Sequence, residues 1–157
     1  MVPEIKKILL AIDLSDHSKK SLRYAISQAQ KYQGSVYVIH VVEPLTSLAK
    51  SFLELYLGDK YPDYEKKEKE IILNKVKDEI EELCNKELAL SSSNNELIKH
   101  IEIREGLPYE EILNYSKEIE ADLIIIGHGS KAYKGQILGS IARKLVNLSP
   151  IPLLIVK

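Results

Sequence analysis

Between positions 122 and 140 the residue types and spacing are those of a phosphate cradle. An apolar run, Leu123 to Ile126, stops at Gly127. A loop with Gly129 and Gly135 follows, and Gly139-Ser140 opens a second apolar-periodic segment. Four β-compatible residues before a glycine read as a buried strand ending at a turn. Glycine tolerates positive φ and lets a ligand approach the backbone. Ser140 is placed to cap the next helix, whose unpaired N–H groups and dipole favour an anion. Glycine loops also turn chains with no ligand at all, so the pattern needs a context.

Other residues with chemical potential are fewer. Asp13 follows the first apolar run, where it either hydrogen-bonds the next helix's N–H groups or contacts a ligand. Lys131 and Lys134 lie in the glycine loop, as phosphate-reaching cations or as solvated loop lysines. His17, His40, His100 and His128 are scattered, with no i,i+4 pair and no cysteine partners, which argues against zinc. His128, beside the loop, is the one histidine placed as a phosphate donor. Ser15 and Ser18 read as caps of the first helix rather than nucleophiles, because the sequence positions no base beside them. Cys84 reads as core packing. A phospho-acceptor role for Asp13 would require an acidic pair and a late lysine that the sequence does not supply.

The elements that would position these residues follow from the hydrophobic periods. Ile8–Ile12 is an apolar run suited to a strand covered on both faces. Leu22, Ala25, Ile26 and Ala29 mark one face of a helix that stops near Gly34. Val36–Val42 is a second strand, closing a βαβ unit. Leu45–Tyr64 is expected to be a short helix or packed lid, broken at Gly58-Asp59 and Pro62-Asp63. Tyr64–Leu88 is a long charged helix with Ile72, Val76, Ile80, Leu83 and Leu88 on one stripe and a solvated Lys/Glu face. Ser91–Asn95 is a polar loop. Leu97–Ile103 is a third strand, and Pro108 opens a helix whose inner face is Ile112, Leu113, Ser116 and Ile119. Asp122–Gly127 is the fourth strand. A helix from Ser140 with Ala142, Leu145 and Val146 inside leads to a last strand, Leu153–Val156.

Strands alternating with helices predict one α/β domain: a five-stranded, mainly parallel sheet with helices on both faces, doubly wound. Ligands of such sheets sit beyond the carboxyl ends of the strands. The loops after Ile12, Val42 and Ile126 are therefore the candidate site.

Composition narrows the function class. The chain has 157 residues, 45% hydrophobic and 29% charged, with 22 basic and 23 acidic side chains and a net charge of -1. Such a balance provides no general attraction to nucleic acid or anionic membrane. Nine tyrosines without tryptophan do not make a nucleic-acid platform when no basic groove accompanies them. One cysteine excludes an intrachain disulfide framework. No apolar run has signal-peptide or membrane-spanning length, and the expectation is a cytoplasmic protein.

The residues KKILLAIDLSDHSKKSLRYAI, VYVIHVVEP, REGLPYEEILNYSKEIEADLIIIG and GHGSKAYKGQILGSIARKLVNLSPIPLLIVK together resemble the universal stress protein family over almost the whole length. The resemblance implies a doubly wound, Rossmann-like fold, usually dimeric, in which the last strand, here 153–157, pairs with its counterpart in a second chain. An apolar edge strand makes such pairing physically sensible, the alternative being an edge covered within the monomer.

Some members bind ATP through Gly, two residues, Gly, nine residues, Gly and Ser or Thr. Gly129, Gly139 and Ser140 match the second half, but only His128 separates Gly127 from Gly129, so the cradle is one N–H shorter. Carried over by position, the resemblance implies Ala11, Ile12 and Asp13 against adenosine and Val41 in the adenine pocket. It implies Gly127, His128, Gly129, Gly139 and Ser140 around the phosphates, with Mg or Mn carried through those phosphates. Ile12 stands where members often have a hydroxyl residue. The expected function is an ATP-dependent regulatory switch in stress response. The alternatives are a nucleotide-free dimeric interaction module, or a slow, partner-dependent ATPase with His128 as the nearest base. Valine at Gly129 or Gly139 is expected to abolish binding and leave the fold intact.

Overall fold

The computed structural model describes residues 1–92, 95–129 and 138–157. Five strands form one sheet: β1 (Lys7–Ala11), β2 (Ser35–Val42), β3 (Ile98–Glu105), β4 (Leu123–Gly127) and β5 (Leu153–Val156). Their order is β3-β2-β1-β4-β5, and every pair is parallel. The chain winds outward from β1 to β3, then crosses to β4 and β5. The direction of winding therefore reverses between β1 and β4, which is where a doubly wound sheet opens a crevice.

Each face has its own core. On one, α1 (Ser18–Tyr32) and α3 (Tyr61–Leu90) set Leu22, Ala25, Ile80, Cys84 and Leu88 against Ile8, Leu10, Val38 and Ile125. On the other, α4 (Pro108–Glu118) and α5 (Ser140–Leu148) set Ile112, Tyr115, Ala142 and Leu145 against Leu9, Ile39, Ile124 and Ile126. Ile8, Leu9 and Leu10 are all fully buried, which explains the unbroken apolar run: successive side chains enter opposite cores. Each such side chain contributes about 1.5–3 kcal/mol by burial. Among the described residues no helix is long and apolar enough to cross a membrane.

Several local expectations are corrected. α1 stops beside Gly34 as expected, although its left-handed residue is Gln33 (φ 52°). Glycine is needed at 34 for another reason: a Cβ there would lie 2.6 Å from the Lys6 carbonyl oxygen, to which Ser35 N–H donates at 2.7 Å. The charged helix starts at Tyr61 rather than Tyr64, so Pro62 does not end the preceding segment but sits in the first turn of α3, where its missing N–H costs nothing. Leu97 belongs to a 3-10 turn before β3. The segment after Pro44 forms α2 (Ser47–Leu57), capped by the Thr46 side chain on Ala49 N–H, and a 3-10 turn (Gly58–Lys60). No α2 side chain is buried, so this helix is not a packed lid.

The stripe on α3 is buried only in part. Ile80 and Leu88 are in the core and Val76 and Leu83 pack at its margin, but Ile72 is exposed. Thirty residues of helix span roughly 45 Å, while an eight-residue strand spans roughly 26 Å. The N-terminal half of α3 therefore overhangs the sheet. On α5, Ala142 and Leu145 face the core, whereas Val146 is exposed. The loop residues Ser93-Asn94 lie outside the described residues.

Candidate functional site

Beyond the carboxyl ends of β1, β2 and β4 lies a cleft of about 440 Å³, within the size range of small-molecule sites. Its floor is strand ends: Ala11, Ile12 and Asp13 from β1, Ile39 and Val41 from β2, Ile126 and Gly127 from β4. Pro108 and Ile112 of α4 wall one side, and Ser140, Ile141, Ala142 and Arg143 of α5 another. Eight of the nine residues nominated from sequence line this single cleft: Ala11, Ile12, Asp13, Val41, Gly127, Gly129, Gly139 and Ser140. The ninth, His128, does not.

Asp13 sits where the chain leaves β1 through a tight turn, with Leu14 at φ 59°. Its Oδ1 accepts from Ser15 N–H (3.0 Å), Ser15 Oγ (2.6 Å) and Ser18 Oγ (3.1 Å). The carboxylate is thus oriented by its own loop while lining the cleft. Ser15 and Ser18 do not cap α1, as expected from sequence. The N-cap position is His17, without a side-chain cap bond, and both hydroxyls serve Asp13 instead.

The two ends of the glycine loop are joined. Gly139 N–H donates to the His128 carbonyl at 2.7 Å, and His128 N–H donates to the Val156 carbonyl at 2.9 Å. Gly129 has φ 105°, and a Cβ on it would stand 3.0 Å from Gly139 Cα. Backbones this close leave no room for a side chain on the Gly129 side. The N-cap of α5 is Gly139 rather than Ser140, which becomes the first helical residue. The first N–H groups of that helix have no intrahelical acceptor and open onto the cleft wall. Lys131 and Lys134 fall outside the described residues.

His128 turns away from the cleft. Its ring meets His17 edge-on, with centroids 5.1 Å apart and planes at 76°. Nδ1 is buried and has no hydrogen-bond partner among the described residues. The ring does not line the cleft, and the residue contributes its carbonyl to the loop closure. Strand alternation would put His128 on the face of Ile126, but β4 ends at Gly127 and the alternation does not carry past that end.

Three cleft residues have no counterpart in the sequence reading. His40 lines the cleft, and its Nδ1 lies 2.6 Å from the Ile12 carbonyl, a contact in which Nδ1–H donates. Glu43 and exposed Arg143 add one charge of each sign to the rim. Arg143 was detectable: it lies three residues after Ser140, one turn into the helix that follows the glycine loop. Cys84 is buried, and burial pushes its thiol up to about 12, so it is packing and not a nucleophile at neutral pH.

With this geometry, the relatives are informative. Residues 4–157 match the profile of the Universal stress protein family. Universal stress protein MJ0531 of Methanocaldococcus jannaschii is 32% identical over 153 residues, 97% of this chain and 82% of the relative. The solved structure of the M. jannaschii protein MJ0577 superposes with a TM-score of 0.75 at 24% identity, covering 99% of this chain and 97% of that one. Two further structures share the fold. A universal stress protein in complex with cAMP has a TM-score of 0.62 at 18% identity, over 99% of this chain and 98% of that one. One from Archaeoglobus fulgidus in complex with dAMP has 0.55 at 20%, over 99% and 100%. By sequence profile, by full-length identity and by an all-parallel sheet of the same build, the chain belongs to the universal stress protein family.

Proposed function

We propose that the chain is an adenine-nucleotide-binding regulatory protein whose ligand is ATP and which acts as a nucleotide-dependent switch, paired as a homodimer through 153–157. The observation that carries this reading is the convergence of Ala11, Ile12, Asp13, Val41, Gly129, Gly139 and Ser140 on one cleft at the winding reversal of the sheet. Related structures with cAMP and dAMP supply the ligand class. The apolar strand ends Ala11, Ile39 and Val41 suit a purine face. Asp13, already held by two serines, accepts from a ribose hydroxyl. The N-terminus of α5 and Arg143 suit phosphate oxygens. A divalent cation, Mg or Mn, is carried on the phosphates, where it neutralises their charge.

The loop is one residue shorter than the family's ATP signature, and its Gly139 N–H is committed to His128. The phosphate grip then falls on α5 rather than on the loop's own N–H groups. Arg143→Gln is therefore expected to weaken ATP about tenfold and leave adenosine affinity unchanged, as read by calorimetry. The test of binding itself is to denature the purified protein, chromatograph the supernatant for adenine nucleotide, and measure melting with added ATP and magnesium. At a hundred times Kd a ligand stabilises by about 2.7 kcal/mol, a shift easily read. Neither released nucleotide nor any shift would remove ATP from the account and leave the interaction module.

A further inference from the structure

One side of α2 is apolar and open. Leu48, Phe52, Leu55 and Tyr56 are 70, 67, 85 and 87% exposed, and their spacing of four, three and one puts them on one stripe. The adjoining stripe, Ala49, Leu53 and Leu57, is half-buried, and Lys50 pairs with Glu65 of α3 at 3.6 Å. The stripe therefore faces outward in a helix that already has its inner contact. Phe52 is the chain's single phenylalanine. Exposed Leu45, Ile71 and Ile72 add to the apolar surface of the same helical hairpin. Four such side chains expose on the order of 600 Å², as much as the largest apolar patch of an ordinary monomer.

We infer that this stripe is the contact surface for a second copy of the chain, a two-fold helix-to-helix interface separate from the β5 edge. Two features favour a second copy over other occupants. Doubling the stripe buries on the order of 1,200 Å², the lower bound of stable interfaces. Residues 45–72 also carry five lysines against six acidic residues, a mixed rim of almost no net charge. Such a rim pairs with itself across a two-fold axis. It provides no pull toward an anionic membrane, where lysines would dominate. Leu and Phe at i and i+4 also form the ridges by which one helix packs on an equivalent one.

The full-length protein tests this by light scattering at matched concentrations of wild type, Leu55→Glu and the double variant Phe52→Ser/Tyr56→Ser. Since α2 buries no side chain, both variants should keep the wild-type far-ultraviolet spectrum. The expected result is a twofold fall in mass for both. A second measurement uses Tyr56→Cys with a bis-maleimide: Cys84 is buried, so a cross-linked dimer band reports contact between α2 helices. Unchanged mass in both variants overturns the inference, as does a monomeric wild type. A monomer that pellets with neutral phosphatidylcholine vesicles overturns it in favour of a lipid surface. The β5 edge does not enter these outcomes, because loss of that contact alone leaves the α2 step in mass intact.

Discussion

Gly129 and Gly139 are both cleft glycines, but the backbone asks different things of them. Gly129 has φ 105°, a conformation that strains any L side chain, and its missing Cβ is 3.0 Å from Gly139 Cα. Gly139 has an ordinary φ of -66°, and its Cβ would meet the His128 oxygen at 3.2 Å and Gly129 Cα at 3.3 Å. Gly129→Ala is therefore expected to cost about 1–3 kcal/mol in denaturant unfolding, and Gly139→Ala about 1 kcal/mol. Valine at 129 changes the fold's stability as well as the cleft, so Gly139→Ala is the cleaner probe of binding. Equal costs for the two alanines would remove the strain argument. At this scale the glycines were legible, because their spacing is a local property of the chain. Arg143 was within reach of the same local spacing, whereas His40 was not, since its value depends on which strand end lies beside the first loop. His128 misled for the converse reason: adjacency in sequence to the loop says nothing about which face the ring takes.

Among the elements, β3 and α4 are clamped by one cation. Arg104 on β3 bonds Glu118 on α4 in two places, bonds Glu102 at 3.0 Å, and lies 4.8 Å over the Tyr115 ring. Its hydrogen bonds hold the Glu118 carboxyl below the ordinary range. Burial raises Glu102, but hydrogen bonds from His100 and Arg104 outweigh it, and the net shift is downward. A carboxylate with a depressed folded pKa contributes stability that is present above its unfolded pKa and lost as pH falls through the folded value. Arg104→Met, which keeps the apolar stem on Tyr115, should lower Tm by about 2–4 °C at pH 7. That gap should close as pH falls below about 4, as followed by calorimetry. A gap that widened in acid would mean the clamp acts by packing alone. Element type was readable from the sequence because each strand's apolar run and each helix's stripe reflects its own two-sided or one-sided burial. Element length was less so. The overhang of α3 leaves Ile72 in solvent, and only the span of the neighbouring sheet sets that limit.

For the whole molecule, the proposed pairing through 153–157 makes a specific prediction at β5. It is the last strand of the sheet, with β4 on one side only. The carbonyls of Pro152 and Val156 accept from Ile124 and His128 N–H, so they face β4. By alternation, the N–H and C=O of Leu153 and Ile155 face the open edge. Proline at 155 removes an outward N–H and leaves the ladder to β4 its donors and acceptors. Pairing through 153–157 therefore predicts that Ile155→Pro halves the mass seen by light scattering while the far-ultraviolet spectrum is retained. The partly buried Ile155 side chain packs against the α4/α5 core, so some loss of stability accompanies the change. Ile155→Ala, which trims the same side chain but keeps the N–H, separates the two effects: it should melt earlier and stay paired. Equal mass for wild type and Ile155→Pro would assign the edge to solvent and leave the α2 stripe as the sole surface for self-association. Because β4 carries both Gly127 and the ladder to β5, a nucleotide bound at Gly127 has a short path to this edge. ATP with magnesium should then tighten pairing in wild type and have no effect on the mass of Ile155→Pro.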